Sequence, residues 1–207
     1  SCRARRYHNS ALPLSPRAAQ SSPRFKRAMV SPLSAAALKI NKQPKEIVGQ
    51  RDIEKMIAEV DALRENGGRL LKSKNYEVFF AQRKDIPNLI FEIGRLREIT
   101  FREVGEGTNE AIDLDSFDNY YHHLFLWDEE AKVLAGAYRM GLGNAIYKKY
   151  GIQGFYVHTL FKFEPELHSM MENSIDMVRA FIIKEYQQKP MPLFLLWKGI
   201  VNITLRY

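Results

Sequence analysis

Between Ile86 and Ile99, six aliphatic residues (Ile86, Leu89, Ile90, Ile93, Leu96 and Ile99) recur at three- and four-residue steps. That period winds an apolar stripe along one side of a helix, and the stripe must be covered. The surrounding runs have a different rhythm. Tyr76-Glu77-Val78-Phe79-Phe80 is rich in aromatic and β-branched residues, the composition of a strand. His123 to Trp127 and Lys132 to Met140 are two further strand-like runs, and Asp128-Glu129-Glu130-Ala131 between them makes a hairpin connection. A helix with one face to bury among strands that also need cover implies the α+β class, a central sheet flanked by helices.

Local signals extend this outline. Asp52 to Arg64 carries Ile53, Met56, Ile57, Val60 and Leu63 in helical rhythm, and Asn66-Gly67-Gly68 stops it. Asp85 is placed to cap the helix that follows the first strand, with Pro87 in its first turn. Arg97 and Phe101 lie four apart, on one helical face, before Gly105 and Gly107 break the helix. Gly136 inside a strand marks a bulge or a close backbone approach. Short helices are expected over 144–150 and 165–171, extended aromatic sequence over 151–163, and a strand over 174–183. A final helix over 193–205 has a strand alternative over 201–207.

The formal net charge of +7 suggests nucleic acid until its position is considered. Ten Lys or Arg and no acidic residue fall in residues 1–45, leaving 21 basic and 24 acidic residues in the remainder. The core is therefore mildly acidic, which argues against a nucleic-acid platform. Residues 1–38, rich in Ser, Ala, Pro and Arg, read as a disordered basic leader, with an organelle transit segment or a tether to anionic lipid as alternatives. Residues 39–74 read as a helical linker, and residues 75–207 as the catalytic-type domain. Cys2 is the lone cysteine, which excludes an intrachain disulfide and a multi-cysteine metal site.

Charges set within apolar sequence are the candidates for chemistry. Asp113, Asp115 and Asp118 cluster in an acidic stretch ahead of His122 and His123. Carboxylates and imidazoles can ligate a divalent metal, but the EF-hand spacing is absent, and a solvated or charge-pairing loop is the plainer reading. Arg139 ends a hydrophobic strand and Arg179 lies within another, so each needs a partner: a substrate carboxylate, or a network with Asp176 and the acidic loop. His122 and His123 have no sequence-marked Ser or Cys partner, and adjacent strand positions point them oppositely.

The run Gly94-Arg95-Leu96-Arg97-Glu98-Ile99-Thr100-Phe101-Arg102, then Asp113-Leu114-Asp115-Ser116-Phe117-Asp118, then Gly136-Ala137-Tyr138-Arg139 resembles the hemolysin-like ornithine- and glycine-lipid N-acyltransferases. That family is related to the acyl-homoserine-lactone synthases and to the GNAT superfamily. Tyr120 to Asp128, Gly154-Phe155-Tyr156, Thr159-Leu160-Phe161 and Leu195 to Ile200 extend the resemblance, which covers about Asn75 to Tyr207. It implies a GNAT-like fold with a mixed central sheet. It also implies long-chain acyl transfer from an acyl-carrier protein or coenzyme A thioester to the amine of a small amino acid in aminolipid synthesis. No tightly bound cofactor or metal is expected.

The matching positions are Asp115, Asp118 and Asp176 as catalytic candidates and Arg97, Phe101, Arg139 and Arg179 as substrate-binding candidates. Asp176 stands where the family has Glu, and Val178 where a small Gly is common. The family continues past the segment resembling Leu193 to Tyr207 into another core strand, so the expected domain is incomplete at its C-terminal side. Its exposed edge would favour oligomerisation. The resemblance places the protein in the bacterial cytoplasm or peripherally on the inner face of the inner membrane. The rival reading is a non-catalytic lipid-associated or interaction protein on a truncated acyltransferase fold.

Overall fold

A computed structural model describes residues 43–207. The readings for residues 1–38 lie outside the described residues. Helix α1 (Ile53–Glu65) begins at Asp52, whose side chain accepts from the Glu54 N–H, and ends at Asn66, with Gly67 at φ +76°. Strand β1 (Arg69–Ser73) turns directly into β2 (Tyr76–Gln82). Residues 53–73, which local pattern places in a linker, thus supply a helix and an edge strand. Met56, Val60 and Leu63 of α1 join the same buried cluster as the sheet. Arg69-Leu70-Leu71-Lys72-Ser73 is too short, and too weakly alternating, to declare itself a strand before pairing.

Helix α2 (Leu89–Glu103) carries the aliphatic stripe, with Leu89, Ile90, Ile93 and Leu96 buried. Its cap differs from the local expectation. Asp85 closes a 3-10 turn (Arg83–Asp85), and Pro87 precedes the helix. The carboxylate of Glu59, from α1, accepts from Asn88 N at 2.7 Å and Leu89 N at 2.8 Å, which satisfies the first helical N–H groups from 29 to 30 residues away.

Strands β3 (His122–Asp128) and β4 (Val133–Leu142) form the expected hairpin. Then follow α3 (Gly143–Tyr150), α4 (His168–Glu172), β5 (Ile175–Ile182), the short α5 (Lys184–Gln187) and α6 (Pro190–Arg206). Residues 201–206 are helical, so the strand alternative is set aside. The segment expected to be extended between 151 and 163 instead winds through two 3-10 turns, Gly151–Gly154 and Tyr156–Thr159. Its aromatic residues pack in a satellite cluster around Tyr121, Ile146, Phe155 and Met171, a tertiary reason that local alternation does not show.

The sheet order is β1-β2-β3-β4-β5. Its α+β, helix-flanked, GNAT-like architecture agrees with expectation; the four pairings among the described strands are all antiparallel, where a mixed sheet was expected. Alternation puts Val78, Leu124 and Leu126 on one face, where α6 seats Gly199 against Val78 and Leu124. Phe79, His123, Phe125 and Arg139 face the other way, and Phe79 stacks on Phe125 with centroids 5.3 Å apart.

Two irregularities aim side chains. Register slips between Leu126 and Trp127 against β4, next to Gly136, where a Cβ would lie 2.7 Å from the Phe181 carbonyl oxygen. Both anticipated roles of that glycine therefore apply. On β5 the step from Val178 to Phe181 spans one residue more than Arg139 to Ala137 opposite it, a bulge in which Arg179 adopts φ +53°.

Candidate functional site

The site is assembled where α2, the acidic loop, β4 and β5 meet. Gly94 lets the loop lie on α2, since a Cβ there would come within 2.7 Å of Leu114, and Asp113 N donates to Gly94 O at 3.2 Å. One turn further along α2, Arg97 meets the loop. Its Nε lies 3.1 Å from Asp113 Oδ2, its Nη2 lies 3.1 Å from Asp118 Oδ2, and Nη2 also donates to the Asp113 carbonyl. Asp115 and Asp118 cap the 3-10 turn between them (Ser116–Asn119): Asp115 Oδ1 accepts from Phe117 N and Asp118 Oδ2 from Asp115 N, both at 2.8 Å. This box fixes both carboxylates toward Arg139, whose Nη1 lies 2.6 Å from Asp115 Oδ1 and 3.2 Å from Asp118 Oδ2.

Arg179, turned by the β5 bulge, reaches Asp113 Oδ2 at 3.4 Å. Aromatic rings fill the space between the cations. The Arg139 guanidinium stands 4.7 Å from the Tyr156 ring centre and 5.6 Å from both Phe117 and Tyr121. Arg179 stands 5.4 Å from Tyr156 and 5.8 Å from Phe101. Asp176 joins through a tyrosine: Tyr121 Oη donates to Asp176 Oδ2 at 2.8 Å and accepts from Tyr156 N at 2.7 Å. That pair of bonds holds the Tyr156 ring where it sits between the two arginines.

All seven sequence candidates therefore lie in one region, in distinct surroundings. Arg97, Arg139 and Asp118 are sealed from solvent, whereas the side chains of Asp115 and Arg179 remain 32% and 21% exposed. Burial alone would raise the Asp118 pKa, but Arg97 and Arg139 outweigh it and hold the carboxyl below its ordinary range. Asp113 goes the other way: burial raises its pKa beyond what Arg97 and Arg179 recover. Burial would weaken the Arg139 cation, yet Asp118 and Asp115 raise its pKa overall.

His123 is completely buried beside Asp118, 4.0 Å from Oδ1, and desolvation lowers its pKa to about 4, against the pull of that carboxylate. His122 points to the opposite face and stacks on Phe80 at 4.6 Å. The expected network of Arg139, Arg179 and the acidic loop is present, with Asp113 bridging Arg97 and Arg179, whereas Tyr121 as the link to Asp176 and Tyr156 as the spacer were not singled out by sequence. Among the described residues no group of three or more His, Cys, Asp and Glu side chains is arranged to hold a metal ion.

The fold is GNAT-like, as comparison with known proteins supports. Residues 96–197 match the family described as acetyltransferase (GNAT) domain. The chain is similar to a glycine N(alpha)-acyltransferase of Phocaeicola vulgatus, 31% identical over 164 residues, covering 74% of this chain and 50% of that protein. It is also similar to a glycine N(alpha)-acyltransferase of Bacteroides thetaiotaomicron, 30% identical over 148 residues, covering 66% of this chain and 44% of that protein. The chain thus spans about half the length of these curated relatives. No solved structure matches it. These findings relate the chain to the GNAT acyltransferases. No helix among the described residues is long and apolar enough to cross a membrane.

Proposed function

We propose that the protein transfers a long-chain acyl group from an acyl-coenzyme A or acyl-carrier-protein thioester to the amine of a small amino acid, glycine first, in aminolipid synthesis. The observation that carries this reading is the division of labour among three arginines. Arg97 and Arg139 are buried and neutralised by aspartates, while Arg179 stays partly open to solvent beside Asp113, Phe101 and Tyr156. Arg179 is thus the guanidinium placed to receive the acceptor's carboxylate in a two-pronged contact.

The amine lone pair attacks the thioester carbonyl carbon. The C–N bond forms, the C–S bond breaks, the thiolate departs with the electron pair, and the nitrogen gives up a proton. A base must reach the substrate within hydrogen-bond distance. Asp115, about a third exposed, is the carboxylate of the three that an amine can approach and is assigned as base, whereas Asp118 and Asp176 are enclosed and are assigned as positioning groups. The register shift on β5 suggests backbone N–H groups beside it as the donors that would polarise the thioester oxygen. The relatives' shared name, glycine N(alpha)-acyltransferase, supports glycine as acceptor, and we extend the reading to a cytoplasmic or peripheral inner-membrane location.

The test supplies acyl-coenzyme A or acyl-carrier-protein donors together with glycine. Free thiol is followed with a thiol reagent and N-acylglycine by mass spectrometry. Glycine-dependent thiol release that weakens in Arg179→Ala chiefly through a raised KM for glycine is the expected result. Absence of amine-dependent release with every donor, for glycine and for a panel of other small amino acids, overturns the reading and favours a non-catalytic interaction protein.

A further inference from the structure

Phe101 belongs to two surroundings at once. Its ring lies 5.8 Å from the Arg179 guanidinium, and it also lines a groove of about 320 Å³. Along α2, Arg97, Phe101 and Val104 follow at i, i+4 and i+7 on one face, so two turns of helix lead from the ion cluster into hydrocarbon surface. Across the groove stand Ala180 and Ile182 of β5 and Leu193 from the first turns of α6. Glu106 and Gln187, both exposed, supply polar lining. Val104 is 68% exposed and Leu193 48% exposed, which is apolar surface left to water immediately beside a charged site.

A polar reacting centre continuous with an apolar trough suits a ligand built the same way, a reactive polar head on a straight hydrocarbon. We propose that this groove is the acyl-chain subsite, which takes the hydrocarbon of the thioester donor and presents its carbonyl at Phe101, beside the Arg179–Asp113 pair. The inference rests on the N-acyltransferase reading and adds to it the residues that set chain length. Val104 and Leu193 face each other's elements across the trough and lie outside the ion cluster, so widening their side chains shortens the trough without touching the charged groups.

The experiment compares the full chain with Val104→Trp and Leu193→Trp, using glycine and acetyl-, octanoyl- and palmitoyl-coenzyme A. In the unaltered protein kcat/KM rises by about fourfold for each methylene buried until the groove is full. Each Trp variant should lose on the order of tenfold or more with palmitoyl-coenzyme A while keeping its acetyl-coenzyme A rate. Calorimetry with the unreactive thioether S-hexadecyl-coenzyme A gives a second arm, with weaker binding expected in both variants. Chain-length profiles that superimpose on the unaltered protein's, or equal thioether binding, overturn the groove assignment. Failure of transfer with every donor, alongside thioether binding that the Trp variants weaken, would remove the proposed activity and leave the hydrocarbon subsite standing.

Discussion

Replacing Asp118 with Asn removes one negative charge from between two buried cations. The native carboxylate accepts from Arg97 Nη2 at 3.1 Å, lies 3.2 Å from Arg139 Nη1 and accepts from Asp115 N at 2.8 Å, and neither guanidinium has solvent to turn to. Breaking a buried pair by deleting one partner costs about 3–5 kcal/mol, a large share of the roughly 5–15 kcal/mol by which a domain is stable. Urea unfolding followed by circular dichroism, at pH values from 7 down to 3, reads both the size and the origin of the loss. Because folding lowers the Asp118 pKa, its contribution is fully present above the ordinary carboxylate pKa of about 4 and is lost as pH falls through the folded value. The gap between the native protein and Asp118→Asn should therefore be flat from pH 7 to about 5 and close at lower pH. Asp113→Asn should behave oppositely. Burial raises the Asp113 pKa, so its ionised form costs stability at neutral pH and protonation relieves that cost. The loss there should be smaller at pH 7 than for Asp118→Asn and should widen on acidification. A loss below about 1 kcal/mol for Asp118→Asn, or a gap unchanged down to pH 3, would refute the reasoning.

Gly143→Ala would place a Cβ within 3.0 Å of the carbonyl oxygens of Met171, Ser174 and Glu172, backbone atoms that cannot rotate away. About 3 kcal/mol should be lost, read as a fall of roughly 6–12 °C in the unfolding midpoint, and an unchanged midpoint would contradict the packing. Glu59→Ala strips three hydrogen bonds from the start of α2. It should cost about 2 kcal/mol and speed hydrogen exchange first at residues 88 to 92, whereas uniform exchange would argue against a capping role. His123 should remain neutral until about pH 4, so its ring resonances should hold steady between pH 8 and 5. A midpoint near 6.5 would mean that the ring is hydrated.

The elements visible in sequence were those whose local pattern and tertiary surroundings agree. The α2 stripe, the β3–β4 hairpin and the Asp52 cap each follow from residues adjacent in the chain. The misread segments depend on distant partners. β1 exists through its pairing with β2, α2 is capped by a side chain of α1, and the aromatic run over 151–163 curls because Tyr121, Ile146 and Met171 offer it a cluster to enter. Charges embedded in apolar sequence announced the site, since a buried ion must be paired. The pairing pattern, however, requires the loop to rest on Gly94 and the 3-10 turn to orient two carboxylates at once.

Which arginine would meet the acceptor is the question that sequence left most open, and the proposed assignment to Arg179 rests on backbone conformation. Arg139 lies on β4 within a continuous pairing to His123 and points inward among Phe117, Tyr121 and Tyr156, where Asp115 and Asp118 already match its charge. Arg179 occupies an inserted position on the outermost described strand at φ +53°, a conformation that is costly for a residue with a long side chain. That turn carries the guanidinium out of strand alternation to the edge of the cluster, between Phe101 and Tyr156. Tyr156 is itself held by Tyr121, and Tyr121 by Asp176, three residues before Arg179 on the same strand. The Asp-x-x-Arg element therefore acts as a unit: its carboxylate sets the aromatic wall against which its arginine lies. Under the proposed function, a position that looked like a second acid for chemistry instead fixes, through Tyr121 and Tyr156, the guanidinium that would meet the acceptor.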